Sequence, residues 1–270
     1  MAAANRAASW LRSRLQLFPI VAEMTVKQKF TDSFVIFTVL IQPLLIALMG
    51  LWMLKDKGAG YGIYVVVGSG MSGLWSGLLF ISASSIVEER WGGTLESLAG
   101  MPTSLAAIVF AKNMANVLQA LISMAGAYGL AALFFGYPLS IAHPLEFAVS
   151  LALTVVGLVC FGMLLAPLFI MSRELQRFTN GLEFPVYILS GFLFPVAMLP
   201  SWSVPIGMAF PTFWAARALH LTAEGGAKPG DVPFCWLILA AEGIAYALGS
   251  ALLFRLVLRK ARRDATLDME

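Results

Sequence analysis

Few side chains in this sequence have the type and spacing that chemistry requires. His143, His220, Cys160 and Cys235 stand singly, far apart, with no CxxC among them. A zinc or similar metal needs several such ligands at short spacing, so no metal site is expected and the two cysteines read as free thiols at lipid depth. Glu242 stands inside an apolar run beside Gly243. An acid at membrane depth marks either a proton or ion relay or a hydrogen bond to a neighbouring helix, and both readings stay open. No nucleophile stands near a candidate base. The pattern GxxxxGK[ST] is absent from these 270 residues, so nothing here is expected to cradle a nucleotide phosphate. No cofactor is expected to bind directly.

The elements that carry these residues follow from composition. Hydrophobic residues make up 59% of the chain and charged residues only 12%, and the mean hydropathy is +0.82. A soluble domain carries roughly 25% charged residues, because water must wet its surface. The apolar residues fall into runs near Ser33–Leu54, Tyr61–Val87, Ser104–Phe135, Leu145–Met171, Gly181–Leu199 and Phe234–Leu258. About 20 apolar residues cross the hydrocarbon, and lipid forces the backbone to satisfy itself within each run. The expectation is an all-α integral membrane protein with six transmembrane helices. Residues 1–32 form a cytoplasmic amino-terminal segment, 33–258 the membrane domain and 259–270 a cytoplasmic tail.

In the first segment Leu11, Leu15 and Phe18 recur at helical spacing among Arg12, Arg14 and Gln16. That pattern favours an amphipathic interfacial helix over a cleaved presequence. With this end inside, Arg6, Arg12, Arg14, Lys27, Lys29, Arg90, Lys112, Arg173, Arg177 and the Arg255–Arg263 cluster are cytoplasmic, and only Lys55, Lys57, Arg217 and Lys228 lie outside. Positive charge accumulates inside, so both termini are expected in the cytoplasm, in a multi-pass protein of the plasma membrane. Basic groups beside a span suit anionic headgroups and not nucleic acid. Lys112, Asn113, Asn116 and Gln119 place the start of the long third run at the cytoplasmic interface. In the second run Gly73 and Gly77 have GxxxG spacing, which lets helices pack closely.

Two connections are more than loops. After the second run come Glu88, Glu89, Arg90, Gly93, Thr94, Glu96, Leu98 and Pro102. Residues Thr94–Ala99 suit either a short helix with an apolar face and an acid near its start, able to dock in a partner's groove, or a solvated turn. Between the fifth and sixth runs, Pro200, Trp202, Pro205, Pro211 and Trp214 make a stretch too apolar for a hydrated loop and too broken for a span. Short outer-leaflet helices with tryptophan at headgroup depth are expected there.

These segments resemble the membrane subunits of ATP-binding cassette exporters of the type-2 permease family. The likeness rests on Glu89-Arg90, Gly93-Thr94, Glu96 and Pro102, then Pro185, Ser190-Gly191, Phe194-Pro195 and Leu199-Pro200, then Pro211 to Trp214 and Arg217. The resemblance implies that the segment after span two is a coupling helix seated on separate ATPase subunits, which hold the ATP and magnesium. It implies a second permease subunit, identical or related, and a pathway lined by spans two and five, with Trp75, Leu79, Tyr187, Phe192 and Phe194 as candidate lining. The absence of charged lining implies an amphipathic or lipid-like cargo such as a drug, an antibiotic or a lipid-linked molecule. The rival expectation is a gradient-driven secondary transporter or channel, which would place ionisable groups and broken helices at mid-membrane.

Overall fold

The computed structural model describes residues 33–53, 59–83, 105–136, 140–171, 179–192 and 195–264, with Lys27, Thr31 and Gly93 besides. Every regular element among them is helical. Helix α1 runs Ser33–Ile36, passes through a π-helical turn at Phe37–Ile41 and continues as Gln42–Met53. Helix α2, Ala59–Gly77, also passes into a π-helical segment, Leu78–Ala83. Helices α3 (Leu105–Phe135), α4 (Pro144–Met171), α5 (Thr179–Leu189), α6 (Val204–Gly207), α7 (Pro211–Glu224) and α8 (Asp231–Asp264) follow, with a 3-10 turn at Val196–Met198 before α6.

Four of these helices are long and apolar enough to cross a membrane: α2, α3, α4 and α8. Helix α1 holds a shorter apolar stretch, Phe37–Met53. The fifth run, expected to span as Gly181–Leu199, is helical among the described residues over Thr179–Leu189. Its end has a local cause. Gly191 adopts φ +76°, a left-handed turn that stops a helix, and Pro195 follows. Residues 172–178, ahead of α5, lie outside the described residues, as do the amino-terminal amphipathic segment, the proposed coupling segment apart from Gly93, and the end of the tail.

Helix α2 is the axis of the bundle. Ninety-four per cent of its apolar window is buried, against 33% for α3 and α4 and 22% for α8. The outer helices therefore turn wide apolar faces outward, with Leu118, Ile122, Leu145, Val156, Leu237 and Leu248 exposed. In water such faces would drive aggregation; against acyl chains they are at equilibrium. The π turn in α1 has its origin in Pro43, which offers no N–H to the carbonyl of Val39. The amide of Gln42 instead reaches back to Phe37 O, and Thr38 Oγ1 donates to Phe34 O at 3.0 Å.

Two segments singled out from sequence gain a packing environment. Lys112, Asn113, Asn116 and Gln119, in the first half of α3, face inward and are buried. The Pro200–Pro233 stretch carries α6 and α7. Trp202 is exposed, but nearly all of α7, from Pro211 to Ala223, is buried. Its carboxyl end is tied to the connection ahead of α4 by Ala142 N–H to Ala223 O (3.0 Å) and His143 N–H to Thr222 O (3.1 Å).

Candidate functional site

The centre of the bundle holds an acid that sequence reasoning passed over. Glu183 lies within the fifth apolar run on α5 and is 5% exposed. One oxygen, Oε1, accepts hydrogen bonds from Ser76 Oγ of α2 at 2.6 Å, Tyr187 OH at 2.8 Å and Gln42 Nε2 of α1 at 3.1 Å. The Ser76 and Tyr187 oxygens also lie within hydrogen-bond reach of each other, an alternative to donation to Oε1 since each hydroxyl has one proton, and Tyr187 OH lies 3.4 Å from Ser72 O. Three helices thus converge on one carboxylate oxygen.

Local structure explains the convergence. Glu183 and Tyr187 are four apart on α5, and Ser72 and Ser76 are four apart on α2, so each pair shares a helix face. Gln42 is the first residue after the π turn of α1, and Ser76 stands two residues before the π segment of α2. Turns of this kind recur at functional sites because they re-aim the side chains beside them. A buried acid costs several kcal/mol in an apolar medium unless it is hydrogen-bonded; three donors meet that need. In a low dielectric such a network is strong when complete and costly when broken, so it ties the positions of α1, α2 and α5 together.

A second polar layer holds the break after α5. Tyr64 of α2 donates to Gly191 O at 2.5 Å, and the Ser190 and Thr212 hydroxyls meet at 2.6 Å. A Cβ built on Gly68 would stand 1.8 Å from Phe192 O, so the turn is seated in a notch that only glycine leaves open. His220 of α7 stacks on Tyr64 with ring centroids 3.8 Å apart and planes 9° from parallel. Neither of its ring nitrogens makes a hydrogen bond of good geometry; burial pushes its pKa from 6.5 down to about 3, and the nearby Gly191 backbone opposes that only in part. The 3.7 Å approach of Nδ1 to Glu224 is therefore a contact of a neutral imidazole, and burial pushes the Glu224 carboxyl up.

A prediction follows from this ring. A histidine kept neutral in the fold withholds a proton that the unfolded chain binds below pH 6.5, so its contribution is complete above 6.5 and lost as pH falls toward 3. His220→Phe keeps the stack and removes both ring nitrogens. The variant should melt at or above the wild-type temperature at pH 7 and should lose less stability than wild type between pH 6.5 and 4. A lower melting temperature at pH 7 would show that the nitrogens are needed.

The residues singled out from sequence fall in three groups. Trp75, Leu79, Tyr187 and Phe192 are all buried, at 1%, 0%, 1% and 0% exposure; Phe194 lies outside the described residues. Trp75 stacks on Phe161 of α4, while Tyr187 belongs to the Glu183 network. Gly73 and Gly77 face neighbours within the same chain: their built Cβ atoms would stand 3.0 Å from Pro43 Cγ and 2.1 Å from Asn116 Oδ1. Of the connection after span two, only Gly93 is described, exposed with φ +66°; Glu88, Glu89, Arg90, Thr94, Glu96, Leu98 and Pro102 lie outside. Glu242 is half-buried on α8, with Oε2 lacking a partner. Cys160 and Cys235 are free. Among the described residues no cluster of three or more His, Cys, Asp or Glu could hold a metal.

Gln42, Glu183 and His220 were missed as site residues. Glu183 had a readable signal: an acid and a tyrosine at i, i+4 inside an apolar run, matched by serines at i, i+4 in another. His220 had none, because its environment is set by α2.

Comparison with known proteins gives the family. A family model described as ABC-2 type transporter matches residues 16–222. The ABC transporter G family member 20 of Dictyostelium discoideum is 26% identical over 140 residues, which cover 52% of this chain and 19% of that protein. The matched stretch is thus under a fifth of the relative's length. The family match takes in α1 to α5, the Glu183 network and the clamp at Gly191. With its apolar, outward-facing helices, the chain is an integral membrane protein that belongs to the ABC-2 type transporter family, whose membrane domain is a permease component.

Proposed function

We propose that this chain is the transmembrane subunit of an ATP-driven exporter for an amphipathic or lipid-like compound, energised by separate ATPase subunits. What carries the reading is the family match over residues 16–222 in a sequence without a GxxxxGK[ST] loop. ATP and magnesium then belong to the partner. A second permease subunit, identical or related, completes the pathway, and the exposed apolar residues of α1 (Leu45, Met49, Trp52) and α5 (Phe184, Ile188) offer a face for it. Six spans follow from the apolar runs and the cytoplasmic termini from the basic residues, with α1 and the fifth run as the two additional crossings.

The mechanism turns on the two polar layers. The partner ATPases push on the segment Glu88–Pro102, which follows α2 in the sequence. Because α2 is linked to α1 and α5 through Glu183 and to the Gly191 turn through Tyr64, a displacement of α2 has to break one layer or carry both neighbours with it. Trp75, Leu79, Tyr187 and Phe192 then meet cargo only when α2 and α5 part. The apolar candidate lining of Trp75, Leu79 and Phe192 favours an amphipathic or lipid-like cargo, with the Glu183–Tyr187 pair as the polar contact beside it.

Glu89→Ala and Glu96→Ala test the coupling. Coupling free energies of about 1–3 kcal/mol predict a fall of roughly tenfold in ATP-driven cargo movement by vesicles carrying the chain and its partner ATPase, with membrane insertion unchanged. Wild-type transport by both variants would remove the coupling role. Cargo movement that follows an ion gradient without ATP would replace the whole reading with a secondary transporter.

A further inference from the structure

Helices α3 and α4 meet closely at one end and part at the other. Val109 of α3 and Ala166 of α4 share a small apolar cluster, and Asn113 Nδ2 lies 3.4 Å from Val159 O. Toward the end where α3 hands over to α4, the gap between them is a half-open cleft of about 270 Å³. Ile63, Val66 and Val67 of α2 form its floor. Met124, Ala125 and Tyr128 line one wall, and Phe147 and Leu151 the other. Gly70 makes room for the wall, since a Cβ there would stand 2.5 Å from Met124 Cγ.

The occupant follows from the chemistry of the lining and from where the cleft opens. Apolar cavities stay dry, and one of about 150 Å³ already accepts a benzene-sized molecule. This cleft is larger and its lining is apolar apart from the Tyr128 hydroxyl, so water has almost nothing to bond. The helices that wall it are apolar on their outer faces, with Ile122 and Tyr128 of α3 and Leu145 and Val149 of α4 exposed, so the cleft opens toward a lipid-facing surface. At that mouth the surrounding medium is hydrocarbon chains.

We propose that this cleft is a binding site for one acyl chain of a membrane phospholipid, inserted between α3 and α4 against α2. The chain has a structural consequence. Ile63, Val66 and Val67 occupy the face of α2 turned to the cleft, while Tyr64 and Gly68 of the same two turns hold the break after α5. A seated acyl chain therefore supports α2 from behind where it clamps Gly191. The site does not depend on the identity of the exported compound.

The test uses the full chain in phosphatidylcholine vesicles that contain a phosphatidylcholine with a photoreactive diazirine on one acyl chain. After illumination, adducts are mapped by peptide mass spectrometry. The expected result is enrichment at Met124 and Leu151 over the exposed Leu237 and Leu256 of α8. Ala125 is exposed and lines the cleft, so Ala125→Phe should fill the space without a folding defect and remove the enrichment, leaving labelling of α8 unchanged. Leu151→Ala widens the cleft and should raise labelling at Met124. Equal labelling of cleft and α8 in the wild type, or enrichment that survives Ala125→Phe, would overturn the proposal. So would a disulfide-linked dimer formed by Ala125→Cys in the vesicles, which would make the cleft an interface between two copies of this chain.

Discussion

Glu183→Ala is expected to lower the stability of the purified chain by about 2–4 kcal/mol, because buried hydrogen-bond donors lose their shared acceptor. The reason is the number of groups that converge on one atom. Without Oε1, the Gln42 amide, the Ser76 hydroxyl and the Tyr187 hydroxyl lose a shared acceptor. Each buried donor left without a partner costs about 1–3 kcal/mol. The Ser76 and Tyr187 hydroxyls retain each other, and this keeps the total below the sum of three orphans. In a protein of this size the loss corresponds to a fall of about 10 °C in melting temperature. Glu183→Gln keeps an acceptor oxygen at the same reach and should recover most of that loss, which separates the need for an acceptor from the need for a charge. Melting of detergent-solubilised protein, followed by tryptophan fluorescence, measures both. If Glu183→Ala melts with the wild type, the network does not hold the three helices together.

Gly68→Ala should be the most damaging single methyl addition in the bundle, at about 3 kcal/mol or more, the upper part of the overpacking range. Its Cβ would stand 1.8 Å from Phe192 O and 2.8 Å from the Phe192 carbonyl carbon. These are backbone atoms in a turn already fixed by Tyr64 on one side and Thr212 on the other, so nothing nearby can rotate aside. Gly77→Ala meets only the amide tip of Asn116, at 2.1 Å, and a side-chain torsion can move it. Gly73→Ala approaches Pro43 Cγ at 3.0 Å and should be milder still. The expected order is Gly68, Gly77, Gly73, read from melting temperatures and from protease cleavage near Ser190–Pro200. Cleavage there should rise only in Gly68→Ala. Equal tolerance of all three substitutions would show that the turn after α5 is not seated on α2 as described.

The same comparison revises the meaning of the GxxxG spacing. From sequence, Gly73 and Gly77 mark a helix-packing face without naming the partner. In the fold the partners are Pro43 of α1 and Asn116 of α3, both in the same chain. Spacing records that something approaches closely; only the bundle says what.

The broad class and most helix positions were legible because lipid imposes a simple rule: an apolar run of sufficient length must be helical to satisfy its own backbone. The runs at Ser104–Phe135 and Leu145–Met171 coincide with α3 and α4 almost to the residue. The family was legible too, since the motif residues from Glu89 to Trp214 lie at fixed order along the chain, and order survives without a structure. The fifth run was misread in extent. Its hydropathy continues through Leu199, but a single left-handed residue, Gly191, ends the helix, and hydropathy carries no record of φ.

What the sequence determined by itself is therefore one-dimensional: where the chain is apolar, where its charge accumulates, and which family its motif order belongs to. Tertiary structure alone decided that Glu183 meets Gln42 and Ser76 across 141 and 107 residues of chain, that His220 is stacked on Tyr64, and that α7 is buried. Hydrogen bonds and stacking act over a few ångströms between atoms, and helices brought side by side by packing place residues at that range irrespective of their separation in sequence. The chemistry that the sequence lacked at local spacing is assembled by the bundle from single residues on α1, α2, α5 and α7.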